Sequence, residues 1–479
     1  MPKDENRKVQ EERRGHADRS PFGDRFLKTA SIVSLSFLMF VAGAFISEAN
    51  VFPSNIVGRA YFGAKAAYEN LTTYRDVYTS RLWYPGRSAA VGVVTHDSTR
   101  AWPGVTLYTS GHGPEVDLID MDGRVLHRWR RPYSTVWRNG AGPRTPKPDT
   151  HVWFHSAQVT PDGHLLAVYE AVGDTPYGYG LVKLDRDSNV VWSYLHGVHH
   201  LFDTDQDGTI YALAQEIVDD PLEGYDAVGY PRLDDFLVVL SPEGEELRRI
   251  SLIDALATSP FRFLLQHVTL FGSTDPTHAN SVQVLGPEEA EEFPFGEAGQ
   301  VLVSLRELST VAVVDIPSER VVWAARGAWF AQHDAQVLPN GRILMFDNWG
   351  DFEGPTGISR AIEVEPSTGA LAWVYRGTAV EPLASEVRST LQRLPNGNTL
   401  ISESDAGRLF EITPEGETVW QFYNPRRGGA SGELIAVVNA AERIPWTHFE
   451  SAFAAQLQSA RSESSPGTRI DDARTGDPR

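Results

Sequence analysis

A recurring pattern of short strands between residue 103 and about residue 446 constrains the fold of this chain most. Each copy has an apolar strand, a turn that contains Gly or Asn, and a strand that ends in a large apolar residue. The copies end at Trp129, Trp192, Leu247, Trp323, Trp373 and Trp420. Four-stranded sheets repeated every roughly 45 to 75 residues are typical of a propeller, whose blades bury their faces against neighbouring blades. The sequence therefore predicts an all-β fold, a six-bladed β-propeller over residues 89–446.

Two longer stretches interrupt the repeat. Residues 219–235 are rich in Tyr and Gly, and residues 254–277 carry several aromatic and aliphatic side chains. Loops that break a regular architecture often carry function, but they also occur as plain surface insertions. Each stretch has two possible roles: it forms the wall of a pocket over the central channel, or it packs on the outside of a blade.

The N-terminal region predicts a membrane segment. Residues 29–48 are almost uncharged and long enough to span a bilayer, and residues 1–28 are rich in Lys and Arg. Basic residues on one side favour a cytoplasmic N-terminus. We therefore expect a single-pass transmembrane helix in the cell inner membrane, with the bulk of the chain in the periplasm or outside the cell. The alternative is a cleavable signal that ends near Ala44 or Ala49.

The segments that flank the propeller are less regular. Residues 49–88 have a loosely helical spacing of apolar residues, which predicts a short helical stalk or linker. Such a stalk either forms a homodimer or lies on the propeller as a spacer. Residues 447–479 form a C-terminal tail that becomes polar after about residue 458, so we expect it to be partly disordered.

Composition excludes several classes of function. The chain has no Cys, which rules out thiol catalysis and Cys-ligated metal centres. A formal net charge of −20 argues against nucleic acid as a partner, because that binding requires clustered Lys and Arg. No Gly-rich loop with Lys and Ser or Thr is present, so we expect no nucleotide and no other cofactor. Asp203, Asp205 and Asp207 resemble a calcium loop, but Ala214 replaces the required Glu, so we predict a turn and no metal.

Polar residues recur at the start of the first strand of successive copies. Those at the predicted channel end are His155, His199, His200, His278, Asn280 and His333, and Arg306 follows on the next strand. A lone His of this kind is usually structural. Equivalent positions in successive blades, however, converge on one axis, so the pattern predicts a shared site.

The residue types in this set favour the handling of an anion. Arg306 offers a planar fork for a tetrahedral oxyanion, and Asn280 and a protonated His add hydrogen-bond donors. A neutral His can act as a nucleophile on sulfur or phosphorus. Zinc fits less well, because Asp334 is the one obvious carboxylate in these motifs and Arg306 would repel a cation.

The sequence resembles the bacterial arylsulfate sulfotransferases, which do not use an activated nucleotide sulfate (PAPS). The resemblance covers about residues 92–445. It is carried by the motifs Asp275-Pro276-Thr277-His278-Ala279-Asn280-Ser281-Val282, Val303-Ser304-Leu305-Arg306, Gln332-His333-Asp334-Ala335, Phe346-Asp347-Asn348 and Leu394-Pro395-Asn396-Gly397-Asn398-Thr399-Leu400. It implies a six-bladed propeller and a ping-pong transfer of a sulfuryl group from a phenolic sulfate to a phenol acceptor through a sulfohistidine.

The resemblance also implies roles for individual residues. His333 is similar to the nucleophile, and His278 to the group that protonates the leaving phenolate and then deprotonates the acceptor. Arg306 and Asn280 would hold the sulfuryl oxygens. The first family histidine matches the pair His199 and His200, of which we favour His200 as the substrate-binding residue. Leu201 stands where the family has an acidic residue, and His155 is the alternative to the pair.

Two other functions fit parts of the pattern. The same scaffold could be a non-catalytic, membrane-anchored propeller that acts as a periplasmic binding or assembly module, because a fold does not fix a function. A metal-dependent hydrolase is the third option.

Overall fold

The computed structural model describes residues 21–48, 64, 68, 72, 74–138, 140–268, 272–352 and 358–463. The chain divides into two compact units, Met1–Tyr68 and Glu69–Arg479.

The first unit contains the helix α1 (Pro21–Glu48). Its segment Arg25–Ile46 has a mean hydropathy of 2.1 over 22 residues, and none of it is buried. Within the described part of the chain, it is the one helix long and apolar enough to cross a membrane. A helix that is apolar all round fits a bilayer better than water, and the segment suits either a single-pass anchor or a signal sequence.

The second unit consists mainly of short antiparallel strands. The first are β1 (Trp83–Pro85), β2 (Gly92–His96), β3 (Val105–Ser110), β4 (Glu115–Ile119), β5 (Val125–Arg130), β6 (Val152–Val159), β7 (Leu165–Ala171), β8 (Gly178–Leu184) and β9 (Val190–Tyr194). The middle group is β10 (Val198–Thr204), β11 (Ile210–Val218), β12 (Arg232–Leu240), β13 (Glu246–Ser251), β14 (Ala279–Val284), β15 (Val301–Leu305), β16 (Thr310–Asp315), β17 (Arg320–Arg326), β18 (His333–Val337), β19 (Ile343–Asp347), β20 (Arg360–Glu365) and β21 (Ala370–Tyr375). The last are β22 (Thr390–Arg393), β23 (Thr399–Glu403), β24 (Arg408–Ile412), β25 (Thr418–Tyr423), β26 (Arg427–Gly428), β27 (Leu434–Ala436) and β28 (Val438–Ile444).

Few residues of this unit are helical. Among the described residues, its α-helices with defined bounds are α2 (Leu252–Ala257), α3 (Pro287–Glu292) and α4 (Ser451–Glu463). The 3-10 turns are Val77–Thr79, Tyr133–Thr135, Asp149–His151, Arg262–His267 and Trp446–His448. The prediction of an all-β protein is confirmed in part, because the structure is mainly β with a few helices.

The strands form six antiparallel sheets of four or five strands and one smaller sheet. In chain order the six sheets are β28-β3-β4-β5, β6-β7-β8-β9, β10-β11-β12-β13, β14-β15-β16-β17, β18-β19-β20-β21 and β2-β25-β24-β23-β22. The smaller sheet has the order β1-β27-β26. Each large apolar residue that ends a sequence repeat lies on the fourth strand of its sheet. The first sheet takes β28 from the C-terminal end of the unit, and the last sheet takes β2 from the N-terminal end.

The core lies between successive sheets. Six buried apolar clusters each join one sheet to the next, and the last of them joins the sixth sheet to the first. In that last cluster, Tyr108 and Val438 of the first sheet pack with Leu400 and Trp420 of the sixth. Burial of aliphatic and aromatic surface on both faces of each sheet is the main stabilising contribution in such a fold.

The strands β28, β6, β10, β14, β18 and β22 line a cavity of about 290 Å³. Each strand contributes at least one polar residue to its lining, and these include Gln158, Asp203, Gln283, Gln336, Gln392 and Glu442. Most of these side chains also bond to the next strand. The Gln283 amide, for example, donates to the Val337 carbonyl at 3.1 Å and accepts from the Val337 N–H at 2.6 Å. These amides therefore fix the spacing of the strands that carry the histidines.

The two flanking segments differ from the sequence expectation. Most of residues 49–73 lie outside the described residues, but Val77–Thr79 is a single 3-10 turn and Trp83–Pro85 is a strand paired with β27. The predicted helical stalk therefore does not extend to residue 88. At the other end, α4 continues past residue 458 to Glu463, because Phe453 and Leu457 are buried on the first two sheets. Residues 464–479 lie outside the described residues.

The two interrupting stretches pack on the sheets. Val228 of the first stretch, and Leu256, Leu264 and Leu265 of the second, join the apolar cluster between the third and fourth sheets. This agrees with surface insertions rather than pocket walls. The ends of both stretches nevertheless supply carboxylates, Asp235 and Asp275, to the histidine cluster.

Candidate active site

The strands that face the cavity share a local distortion where the sequence places its histidines. The register is interrupted between His199 and Phe202 on β10, between Ala279 and Ser281 on β14, and between His333 and Gln336 on β18. Nearby φ angles are 56° at His200, 39° at His278 and 53° at Asp334. Positive φ is uncommon for these residues, and a β-bulge re-aims side chains away from the regular alternation. The backbone therefore turns polar side chains toward one place.

His333 has a defined tautomer. Its Nδ1 lies 2.7 Å from Oδ1 of Asn348, and the Asn348 amide nitrogen donates to the carbonyls of Ser385 and Arg388 at 2.9 and 3.0 Å. Because those carbonyls require the amide nitrogen, Asn348 must present its oxygen to His333. Nδ1 of His333 then carries the hydrogen and Nε2 carries a lone pair. Burial, and next the charge of Arg306, hold the pKa of His333 well below its ordinary value.

The neighbours of His333 in its motif fasten the strand on both sides. The Gln332 amide donates to the Ser304 hydroxyl at 3.1 Å and to the Thr310 carbonyl at 3.0 Å, both in the fourth sheet. Oδ2 of Asp334 accepts from the N–H of Leu391 in the sixth sheet at 2.6 Å. The side chains of Gln332 and Asp334 are thus structural anchors, and His333 between them is 4% exposed.

His278 has a charged partner instead of a neutral one. Its Nδ1 lies 2.5 Å from Oδ2 of Asp275, three residues earlier. Burial lowers the pKa of His278, but the Asp275 carboxylate raises it, and the net shift is upward from the ordinary value. His278 therefore keeps a proton at a pH where His333 is neutral.

Arg306 and Asn280 lie in the same region. The Arg306 backbone N–H donates to the His278 carbonyl at 3.2 Å, and the Arg306 charge affects the pKa values of both His278 and His333. Arg306 pairs with Glu307 through Nη1, but its buried Nε has no hydrogen-bond partner among the described residues. Asn280 donates through Nδ2 to the Gln332 carbonyl at 2.8 Å, which leaves its second amide hydrogen without a partner among the described residues.

The adjacent residues His199 and His200 differ in position. His200 packs its ring 5.4 Å from the ring of His278 and 6.2 Å from that of His333, measured between centroids. His199 is 0% exposed and lies behind His200, with its Nε2 3.3 Å from Oδ1 of Asp235. Burial and the surrounding histidines hold the pKa of His200 well below its ordinary value. The pair is therefore near the other histidines, with His200 in front.

His155 lies on the far side of His200. Its ring is 4.9 Å from the His200 ring, and its Nδ1 lies 2.9 Å from Oε2 of Glu170. Tyr177 packs against three of the histidine rings at 5.5 to 5.9 Å. The structure thus brings all the predicted histidines together, and adds an aromatic ring.

One set of side chains has the spacing of a metal site. Ligand atoms of His155, Glu170 and His200 lie within 4.8 Å of one another. Both oxygens of Glu170 are already engaged, by Nδ1 of His155 at 2.9 Å and by the backbone N–H of His200 at 2.7 Å. Hydrogen bonds thus account for this arrangement, and we assign no metal to it.

Several residues at the site were not identified from the sequence. Asp275 and Asn348 lie inside the quoted motifs but were given no role. Glu170 and Asp235 lie on β7 and β12, away from the recurrent histidine positions, and Tyr177 follows β7. A search for carboxylates just before the predicted histidines would have found Asp275, whereas nothing in the repeat marks Glu170 or Asp235.

These features define a mainly β protein with a cluster of histidines, one arginine and no thiol. The sequence profile of the arylsulfotransferase (ASST) family matches residues 168–425, which is more than half of the chain. The chain belongs to the arylsulfotransferase family. A comparison with curated proteins returns no match.

Similar solved structures include two propeller domains. A protein of unknown function from Bacteroides caccae has 15% identity and a TM-score of 0.45, over 71% of this chain and 98% of its own. The WD40 β-propeller domain of Doa1 has 12% identity and a TM-score of 0.37, over 77% and 99%. The β-propeller domain of Cps50 (Swd1) from Myceliophteria thermophila has 12% identity and a TM-score of 0.38, over 73% and 100%. Because these TM-scores are below 0.5, the matches do not define the architecture of this chain. The architecture follows from the sheets described above.

Proposed function

We propose that this protein moves a sulfuryl group from a phenolic sulfate ester to a phenol through a covalent sulfohistidine at His333. The observation that carries the proposal is the bond between Nδ1 of His333 and Oδ1 of Asn348 at 2.7 Å. It leaves a lone pair on Nε2 of a neutral imidazole, which is the form that attacks sulfur. Membership of the arylsulfotransferase family supports the substrate class, phenolic sulfates and phenols.

In the first half-reaction, Nε2 of His333 forms a bond to sulfur as the bond between sulfur and the phenolic oxygen breaks. The electron pair of that bond goes to the phenolic oxygen, which takes the Nε2 proton of His278. A raised pKa keeps His278 protonated for this step, and Asp275 stabilises the cation. The products are a free phenol, a neutral His278 and a sulfated His333.

In the second half-reaction, an acceptor phenol occupies the position of the donor phenol. Its oxygen attacks sulfur while its proton passes to the neutral His278. The bond between His333 and sulfur breaks, and the electron pair returns to Nε2. The site is then in its starting state, so the cycle is ping-pong and consumes no cofactor.

The sulfuryl oxygens carry negative charge throughout and need fixed donors. Arg306 supplies a cation whose Nε has no partner among the described residues. Asn280 supplies its second amide hydrogen, and His200 faces the rings of both His278 and His333. Arg306, Asn280 and His200 would thus hold the transferred group.

The six sheets support a six-bladed β-propeller as the scaffold of this site. Each sheet packs on the next, and the sixth packs on the first. An apolar helix preceded by basic residues favours a single-pass anchor in the inner membrane, with the propeller in the periplasm.

The test is mass spectrometry after incubation with 4-methylumbelliferyl sulfate without acceptor. We expect an acid-labile addition of about 80 Da at His333, and its loss when a phenol is added. His333→Gln should carry no addition, whereas His164→Gln, a matched change in a surface turn, should carry it. An unmodified wild-type protein that also fails to transfer sulfate would refute the proposal.

A further inference from the structure

The contact between the rings of His199 and His200 contains one proton. The ring that carries it determines whether Nε2 of His200 has a hydrogen or a lone pair. The Nδ1 atoms of the two rings lie 2.7 Å apart, and both rings are buried. Two lone pairs, or two N–H groups, would repel each other at that distance, so one ring donates and the other accepts. If His200 donates, its Nε2 carries a lone pair. If His199 donates, a neutral His200 carries its hydrogen on Nε2.

Asp235 provides the charge behind His199. Its Oδ1 lies 3.3 Å from Nε2 of His199, and its Oδ2 accepts from the Thr277 hydroxyl at 2.6 Å and from the Ala279 N–H at 2.7 Å. The Asp235 side chain is 0% exposed. Burial raises the pKa of Asp235, but His199 and the two donors lower it, and the net shift is downward. A buried carboxylate without a positive partner is strongly destabilising, and among these contacts only His199 can supply that charge.

The carboxylate of Glu170, on the other side of His200, does not require a proton on Nδ1 of His200. Its Oε1 is 3.7 Å from Nδ1 of His200, beyond hydrogen-bond distance. Both of its oxygens already accept, from the His200 backbone N–H and from Nδ1 of His155. Among the described residues, the remaining neighbours of the pair are the uncharged ring of Tyr177 and the rings of His155, His278 and His333, which face His200. The negative charges around the pair thus favour a cation at His199, the ring in contact with Asp235.

We infer that His199 is an imidazolium that pairs with Asp235 and donates its Nδ1 hydrogen to His200, so that a neutral His200 offers Nε2–H to the sulfuryl group. This inference rests on the proposed function, and it makes His199 and Asp235 positioning residues instead of substrate contacts. It explains how a histidine too deeply buried to be protonated can still donate to an anion. It would give His199 a positioning role in place of the substrate-binding role that the resemblance implies.

Two nearly isosteric variants test whether His199 donates a hydrogen bond to His200 through Nδ1. Asn at position 199 places an amide N–H close to where Nδ1 stands, whereas Leu has the same shape without a donor. In His199→Leu, we expect release of 4-nitrophenolate in a single turnover without acceptor to slow by roughly 10- to 100-fold, the loss of one charge-assisted hydrogen bond. His199→Asn should recover most of that rate. His196→Leu and His196→Asn, three residues earlier and exposed, should both stay near the wild-type rate.

A second measurement locates the ring protons of His199 and His200 and does not depend on catalysis. In the full-length protein labelled with ¹⁵N-histidine, long-range ¹H–¹⁵N spectra separate imidazolium, Nδ1–H and Nε2–H rings. We expect an imidazolium signature for His199 and an Nε2–H signature for His200 near neutral pH, assigned from the signals lost in His199→Asn and His200→Gln. A proton on Nδ1 of His200 would overturn the inference. So would a His199→Asn variant that folds like wild type and reacts as slowly as His199→Leu.

The two proposals fail in different ways. If wild-type protein forms no adduct, the proposed function fails, while the ¹⁵N spectra still decide the protonation of His199 and His200. If wild-type protein reacts but His200 carries its proton on Nδ1, only the positioning role fails. If neither His199 variant folds, the wild-type signal that is lost in His200→Gln still shows whether His200 carries its proton on Nδ1 or on Nε2.

Discussion

Nδ1 of His278 lies 2.5 Å from the Asp275 carboxylate, whereas Nδ1 of His333 lies 2.7 Å from a neutral amide oxygen of Asn348. The His333 ring is buried and the His278 ring is partly exposed, and their partners shift their pKa values in opposite directions: that of His278 is raised and that of His333 is lowered. Two titratable groups whose environments separate their pKa values are the usual sign of an acid and a base or nucleophile in one site. The assignment of His278 as acid and His333 as nucleophile follows from this difference.

The first prediction concerns Asp275→Asn. The first half-reaction needs His333 neutral and His278 protonated, so its rate should rise with pH through the lowered pKa of His333 and fall through the raised pKa of His278. Loss of the Asp275 charge lowers the pKa of His278, so the alkaline limb should move to lower pH and the acid limb should stay. The rate above neutral pH should fall by roughly 10-fold or more. Single-turnover rates from about pH 5 to pH 9 measure this.

The control for that experiment is Asp207→Asn, which removes a carboxylate from an exposed turn. Its pH profile should match wild type. A shift of the acid limb in Asp275→Asn, with the alkaline limb unchanged, would reverse the roles assigned to the two histidines.

The second prediction concerns Asn348. Asn348→Leu removes the acceptor that fixes the His333 tautomer, so formation of the adduct should slow by about 100-fold or more with little effect on donor affinity. Asn348→Asp replaces the neutral acceptor with a carboxylate, which should raise the pKa of His333 and move the acid limb to higher pH. An unchanged acid limb in a folded Asn348→Asp protein would argue against His333 as the group that must lose its proton.

The third prediction is a loss of stability in Gln332→Leu. The Gln332 side chain is 0% exposed, and its amide donates to the Ser304 hydroxyl and to the Leu305 and Thr310 carbonyls. Removing the donor leaves buried acceptors unpaired, so the free energy of unfolding should fall by about 1–3 kcal/mol. Chemical denaturation measures it. Gln206→Leu, in an exposed turn, should change it by less than about 0.5 kcal/mol.

Most of the fold was predictable from the sequence repeat. Each copy places its large apolar residue on the fourth strand of a sheet, as with Trp129 on β5 and Trp420 on β25. Such a signal is strong because it recurs six times. The helix α4 and the strand β1 were missed because each depends on a few contacts with distant residues, such as Phe453 on the first two sheets and Trp83 beside Ala436. Local periodicity does not contain those contacts.

The candidate site was predictable only in part, for a similar reason. His278, Asn280 and His333 lie at recurrent strand starts, so their proximity followed from the repeat. Asp235 and Glu170 reach the histidines from the middle of one strand and the end of another, and their charges matter only once the sheets pack together. The sequence therefore predicted which rings meet, whereas their protonation depends on carboxylates visible only in the structure.

The last prediction separates the two units of the chain. Residues 69–479 form a compact unit of their own, and the apolar segment Arg25–Ile46 lies in the other unit. A protein lacking residues 1–68 should therefore be soluble without detergent and should transfer sulfate at a rate close to that of the full chain. The full chain should sediment with membranes, since 22 residues at a mean hydropathy of 2.1 suffice to span a bilayer. The mass of the mature protein distinguishes an anchor, which keeps its N-terminus, from a signal, which loses it. A folded but inactive 69–479 protein would mean that the first unit contributes to catalysis.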